Sequence, residues 1–237
     1  MPSGSRFKIR LIKGSEDLSA ILELRSVCFL REFFPSEYDL LADHLVVEDT
    51  ERNLLVGAYR LMLNSKMVRF ESQEDFELGS WLKRPGIKVE LAWACTRPGY
   101  RQGGVIALLW KGLAEYLKSN RIQYLFGPAS LATQSENQVH QVVDYLKAHH
   151  YDLPNSEIEA KKRVLSGELK LTFIEPKKEE AQVFSKRKLP ALMRAYLMAG
   201  ALVLLQPVFD PDTNCFDFMT VLELDHCNEA IRHHFDL

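Results

Sequence analysis

A single glutamate interrupts the run Val89-Glu90-Leu91-Ala92-Trp93-Ala94-Cys95, and its carboxylate is well suited to take a proton from an incoming nucleophile. Strand alternation puts Val89, Leu91, Trp93 and Cys95 on one face and Glu90, Ala92 and Ala94 on the other. A carboxylate beside two alanines describes a cleft where something slender can run past. Partial burial there would raise the pKa of Glu90 toward the range of a general base. The alternative is a glutamate paired with an Arg or Lys on a solvated sheet face. The turn that follows, Arg97 to Gly104 (RPGYRQGG), leads into a helix and offers backbone N–H groups and the positive end of the helix dipole to an anion. Arg101 adds a full charge, and Gly103 and Gly104 allow close approach of a ligand to the backbone. The turn has neither the G-x-G-x-x-G nor the Walker spacing.

Other polar residues have more ordinary explanations. Arg60 lies among apolar neighbours in Leu54 to Leu63; it could grip a carboxylate with both guanidinium arms, or pair with Glu90 or Asp43. Asp210 and Asp212 read as a Pro-Asp turn, with Asp217 beyond it. His226, Cys227, His233 and His234 fit no zinc spacing, so no metal is expected. Cys28, Cys95, Cys215 and Cys227 form no C-x-x-C pair, which suits a reducing compartment.

The elements that must hold these groups follow from periodicity. Arg6 to Lys13 alternates as a strand, and Ser15 is expected to cap a helix through Phe29 with Glu16 and Asp17 in its first turn. Arg31 to Asp43 reads as a loop with a helical turn. His44 to Glu48 and Leu54 to Leu63 make an antiparallel hairpin. A short helix is expected around Glu74 to Leu82, then a strand from Val89 to Thr96, an amphipathic helix from Val105, a strand from Ile122 to Phe126 and a helix capped by Ser135 with Gln138. A helix at Leu189 to Met198 and strands at Ala201 to Val208 and Phe216 to Leu224 complete the order. The class is α/β with a mixed sheet in one domain, 1–237, with a basic insertion or linker at about 152–188.

The 237 residues carry 30 Lys plus Arg against 32 Asp plus Glu, a net charge of -2, which argues against nucleic acid as a partner. No signal peptide is read in the polar, basic start, and Arg194, Gln206 and Pro207 break the apolar tract Ala191 to Phe209 short of the roughly 20 residues of a membrane span. A cytoplasmic protein is expected. Peripheral contact with the inner membrane surface is allowed.

The stretch VELAWACTRPGYRQGGVIALLWKGLAEY resembles the GNAT acyltransferase superfamily, and within it the branch of ornithine-lipid N-acyltransferases and hemolysin-like proteins. DHLV at Asp43, LVGAYRLM at Leu55, SQEDFEL at Ser72, LFGPASL at Leu125 and the tract Leu189 to Leu224 agree in order. The branch often has an arginine shortly after the glutamate, where this chain has Ala92-Trp93-Ala94, and the turn at Arg101 to Gly104 only partly matches the superfamily's pyrophosphate loop.

The resemblance implies a central twisted mixed sheet with helices on both faces, splayed between the Glu90 strand and Ile122 to Phe126. A pantetheine arm would lie there on backbone groups of Ala92, Trp93, Ala94, Cys95 and Thr96, with Arg101, Gly103 and Gly104 at its phosphate. Glu90 would deprotonate an acceptor ammonium, and a backbone N–H near Trp93 or Ala94 would hold the oxyanion. Tyr145 approximately fits the tyrosine used as acid. Asp43, His44 and Arg60 would border the acceptor. The implied reaction is N-acylation of an amino acid such as ornithine from acyl carrier protein, with no permanently bound cofactor; the basic stretch Lys161 to Lys188 is either a dock for that acidic carrier or a solvated face. The alternatives are an acetyl-CoA-dependent N-acetyltransferase and a non-catalytic acyl or carrier-protein binding module.

Overall fold

In the computed structural model, residues 6–102, 104–154, 157–161, 184–229 and 232–233 are described. They divide into two compact units, one built from residues 1–71, 86–127 and 223–237 and one from 72–85 and 128–222.

The first unit is a sheet with a helix on each face. β1 (Phe7–Lys13) pairs antiparallel with β2 (Asp43–Asp49), and β2 with β3 (Leu54–Leu63) through a tight connection. β3 pairs antiparallel with β5 (Ile87–Thr96), and β5 pairs in parallel with β6 (Ile122–Leu131). A parallel pair needs a crossover, and α3 (Val105–Ser119) supplies it.

α1 (Leu18–Phe29) lies on the other face. Its buried stripe, Leu18, Ile21, Leu22, Leu24 and Arg25, follows the helical repeat, and Ile21 and Leu24 pack with Ile12, Val46, Ala58 and Cys95 of the sheet. The expected Ser15 cap is absent. Asp17 occupies the capping position in a left-handed conformation, and its carboxylate accepts from Arg10 of β1 at 2.7 Å. α3 packs closely on its own face: a Cβ on Gly57 of β3 would come within 2.6 Å of Val105.

In the loop between α1 and β2, α2 (Glu37–Leu41) starts with a capping box in which Ser36 and Asp39 satisfy each other's backbone N–H groups.

The parallel ladder runs from Ile87–Ile122 to Glu90–Phe126, whereas β5 continues to Thr96 and β6 to Leu131. Gly127 ends it by close approach: a Cβ there, at φ 149°, would sit 2.2 Å from the Leu91 carbonyl oxygen. Gly127→Ala is therefore expected to push the strands apart beside Glu90. The expected loss is about 2 kcal/mol or more, or roughly 4–8 °C in melting temperature, read by circular dichroism.

In the second unit, β4 (Phe76–Glu77) pairs with β7 (Glu159–Ala160), and α4 (Glu136–Ala148) begins at Ser135, whose hydroxyl accepts from the Gln138 amide. α5 (Ala191–Ala199) is followed by β8 (Leu202–Val203), β9 (Val208–Asp210) and β10 (Cys215–Glu223), with β8 and β9 both antiparallel to β10.

Two expectations fail here. No helix spans Glu74 to Leu82, because Phe76 pairs with Ala160 and the Asp75 carbonyl accepts from the Lys161 amide, so the backbone bonds of a helix are already used. The single strand Ala201 to Val208 is two short ones, broken where Pro207 has no N–H to donate. Asp210 forms the expected turn, accepting from Asp212 N and Thr213 Oγ1.

The fold class is as expected, a mixed α/β protein with a mostly antiparallel sheet and one parallel pair. Of the basic stretch, residues 162–183 lie outside the described residues, as do Gly103 and His234.

Candidate active site

Glu90 is fully buried at the last rung of the parallel ladder, opposite Met62 of β3 and Phe126 of β6. Phe126 meets Phe70 edge to face at 4.9 Å. The carboxylate is thus shielded from water, where charge on an approaching group is felt strongly. Two residues along the same face comes Ala92, opposite Arg60, which in turn lies opposite His44.

The expected alternation fails beyond Ala92. Ala92 pairs with Arg60 and Cys95 with Ala58, so Trp93 and Ala94 together face Tyr59 alone: a β-bulge, with Trp93 in a left-handed conformation at φ 52°. Its consequence is a correction. Cys95 shares the face of Glu90 and Ala92 instead of opposing it, and the Trp93 ring turns to the α1 side, edge to face with Phe29 and Phe33 at 5.5 and 5.0 Å. The bulge also takes an N–H of the Trp93–Ala94 pair out of the regular ladder.

On that face is a buried ionic network. Arg25 Nη1 donates to Asp39 Oδ1 at 2.7 Å, and Arg60 Nη1 donates to the same oxygen at 3.1 Å. Arg60 Nη2 donates to Glu71, and Trp93 Nε1 donates to Glu71 Oε2 at 3.0 Å. Burial alone would push the Asp39 carboxyl up, but the two guanidiniums more than reverse this and hold it well below the usual carboxylate range. At Glu71 burial wins over Arg60 and the carboxyl is raised. His44 donates from Nε2 to the Asp39 carbonyl at 2.9 Å, burial lowers its pKa, and Nδ1 has no hydrogen-bond partner among the described residues.

The residues expected at the acceptor therefore separate. His44 and Arg60 share Glu90's face, but Arg60 pairs with Asp39 and Glu71, not with Glu90 or Asp43. Asp43 is on the opposite face, held at 2.7 Å by Lys66 and at 2.8 Å by Tyr116 of α3. Arg101 is exposed, its Nε 3.4 Å from the Thr96 carbonyl, and Gly104 caps α3 at φ 77° with open space where a Cβ would be. Tyr145 belongs to the second unit, stacked on His149 at 4.1 Å.

Residues 35–111 match the family described as "Acetyltransferase (GNAT) domain". Two curated relatives are both named L-ornithine N(alpha)-acyltransferase. The one from Rhodobacter capsulatus is 26% identical over 95% of this chain and 93% of its own length, and the one from Brucella abortus is 26% identical over 92% and 84%. Residues 35–111 are thus similar to a GNAT domain, and nearly the whole chain is similar to two N-acyltransferases.

Solved structures share this architecture. The loading GNAT-like domain of CurA from Lyngbya majuscula superposes with a TM-score of 0.52 at 12% identity, covering 94% of this chain and all of that one. An N-acyl amino acid synthase from uncultured soil microbes gives 0.51 at 9% identity, covering 93% and 92%.

Among the described residues no three His, Cys, Asp or Glu come together as a metal site, and no helix is long and apolar enough to cross a membrane. Three polar residues of the buried network, Arg25, Asp39 and Glu71, were not singled out by sequence reasoning. Arg25 did leave a signal: it stands in the apolar stripe of α1, where a charge is out of place unless something buried answers it.

Proposed function

We propose that this chain is an acyltransferase that moves a long acyl group from the phosphopantetheine thioester of an acyl carrier protein to the α-amino group of an amino acid such as ornithine. The observation that carries the reading is a buried carboxylate at the end of the parallel ladder, in a chain whose two curated relatives share one name and match nearly its full length.

In this reading the pantetheine arm runs along the backbone of Ala92 to Thr96, with Arg101 and Gly104 at its phosphate. Gly103 joins them by sequence position only. Glu90 takes a proton from the acceptor ammonium, directly or through one water. The amine nitrogen attacks the thioester carbonyl, and an N–H of the Trp93–Ala94 bulge stabilises the oxyanion, an interaction whose loss typically costs about 3 kcal/mol. The C–S bond then breaks and the thiolate leaves. Tyr145 is the candidate to protonate it by the resemblance alone; burial and then Tyr151 raise the pKa of its hydroxyl. Arg60 and Asp43 drop out as direct acceptor ligands, because both are engaged within the protein. A product of this kind would pass to a membrane surface.

The test is a mass-spectrometric assay of purified protein with long-chain 3-hydroxyacyl carrier protein or acetyl-CoA over a panel of amino acids. Carrier thioester is expected to be consumed, with N-acyl-ornithine or another N-acyl amino acid formed. Turnover of acetyl-CoA alone would overturn the donor assignment in favour of an N-acetyltransferase.

A further inference from the structure

Arg25 is 1% exposed, and the atoms of its guanidinium are unequally used. Nη1 donates to Asp39, while Nε and Nη2 are buried with no hydrogen-bond partner among the described residues. The Nε–H and one Nη2–H point in the same direction and form the side-on edge of the group, two parallel donors spaced for the two oxygens of a carboxylate. A buried charged edge with nothing to donate to is costly to keep.

Neighbouring groups cannot take the edge. Asp39 Oδ1 already accepts from Arg25 Nη1 and Arg60, and Oδ2 accepts from Ser36 N and Oγ. Glu71 accepts from Arg60 and Trp93. Arg60 cannot offer an equivalent fork, because both of its Nη atoms are engaged and only Nε is left over.

We propose that the Nε/Nη2 edge of Arg25 binds the α-carboxylate of the acceptor, so that the substrate class is free α-amino acids and excludes simple amines and amino-acid amides. This rests on the reading of the chain as an amino acid N-acyltransferase. Arg25 projects from α1 onto the sheet face that carries Glu90, with its guanidinium 5.9 Å from the centre of the Trp93 ring. In an amino acid the amine is two bonds from the carboxylate carbon, so a carboxylate gripped here keeps the amine on the sheet face that carries Glu90. Arg31 and Phe33 cover the same Trp93 ring, so the pair forms away from bulk water.

The experiment compares L-ornithine with L-ornithinamide, which keeps the amines and loses the carboxylate charge, on wild type and Arg25→Lys, by steady-state kinetics and by titration calorimetry. Wild type is expected to favour ornithine by about 30-fold or more in KM. Arg25→Lys should raise KM for ornithine by about the same factor, leaving ornithinamide unchanged and kcat within about threefold.

Equal use of the two acceptors by wild type overturns the proposal while leaving the transferase reading standing, and this arm needs no variant to fold. Equal losses on both acceptors in Arg25→Lys also overturn it. Ornithine binding that Arg25→Lys abolishes, without N-acyl product from any donor, supports the carboxylate site and overturns the transferase reading. No binding of ornithine to wild type overturns both.

Discussion

Glu90→Gln is expected to lower kcat for amino-acid acylation by about a thousandfold, the middle of the range for a lost general base, with little change in KM for the acyl donor. The amide matches the carboxylate in size, so the fully buried position between Met62 and Phe126 stays filled and the melting temperature should barely move. What disappears is the ability to accept the proton that makes the acceptor nitrogen nucleophilic. Tyr145→Phe provides the contrast. A thiolate whose conjugate acid has a pKa near about 8.5 leaves with little help, so loss of that hydroxyl should cost less than about tenfold. Rates of N-acyl product formation for the two variants, beside their thermal melts, decide the matter. A Glu90→Gln enzyme within tenfold of wild type would mean that the proton goes elsewhere.

The largest stability effect is expected at Asp39. Its carboxylate lies between two guanidiniums, and Asp39→Asn leaves Arg25 and Arg60 facing each other in a buried space without the charge that separates them. Breaking a buried pair from one side costs about 3–5 kcal/mol, which for a chain of this length is roughly 6–20 °C in melting temperature.

The pH dependence has a definite sign. The folded-state pKa of Asp39 is depressed, so the stability it contributes is complete above the ordinary carboxylate pKa of about 3.9 and is lost as pH falls below that toward the folded value. Wild type should therefore lose melting temperature more steeply than Asp39→Asn below about pH 4, and the gap between them should narrow. Parallel curves for the two proteins would show that the Asp39 charge contributes nothing.

Much of the frame was legible because alternation and helical period are properties of neighbouring residues. The β2–β3 hairpin, the strand of Glu90, the turn into α3 and the helix begun by Ser135 all follow from them. Glu90 and Ala92 share a face as alternation requires. The pattern failed at Trp93 because alternation counts residues and a bulge spends one without advancing the ladder. It failed at Glu74 to Leu82 because the competitor for those backbone bonds, the segment around Ala160, is far away in the chain.

The ionic network was hidden for the same reason. Arg25, Asp39, Arg60, Glu71 and Trp93 come from five separate segments, and no spacing rule links them. Arg60 could be picked out as a buried cation, but its partners are set by how the 36–41 turn and Glu71 fold back over the sheet.

The bulge at Trp93 makes the length of β5 part of its chemistry. In a straight strand two consecutive residues look in opposite directions; here Ala92 and Trp93 both look toward α1. Deleting Ala94 would restore a regular strand and keep Glu90, Ala92 and Cys95 on their present face, yet it would turn the indole over toward α3 and away from Glu71, Arg25 and Arg31. A single-codon loss at this point would therefore be tolerated by folding more readily than by function, and an alignment of relatives that closes the gap would pair residues that do not occupy the same place in space.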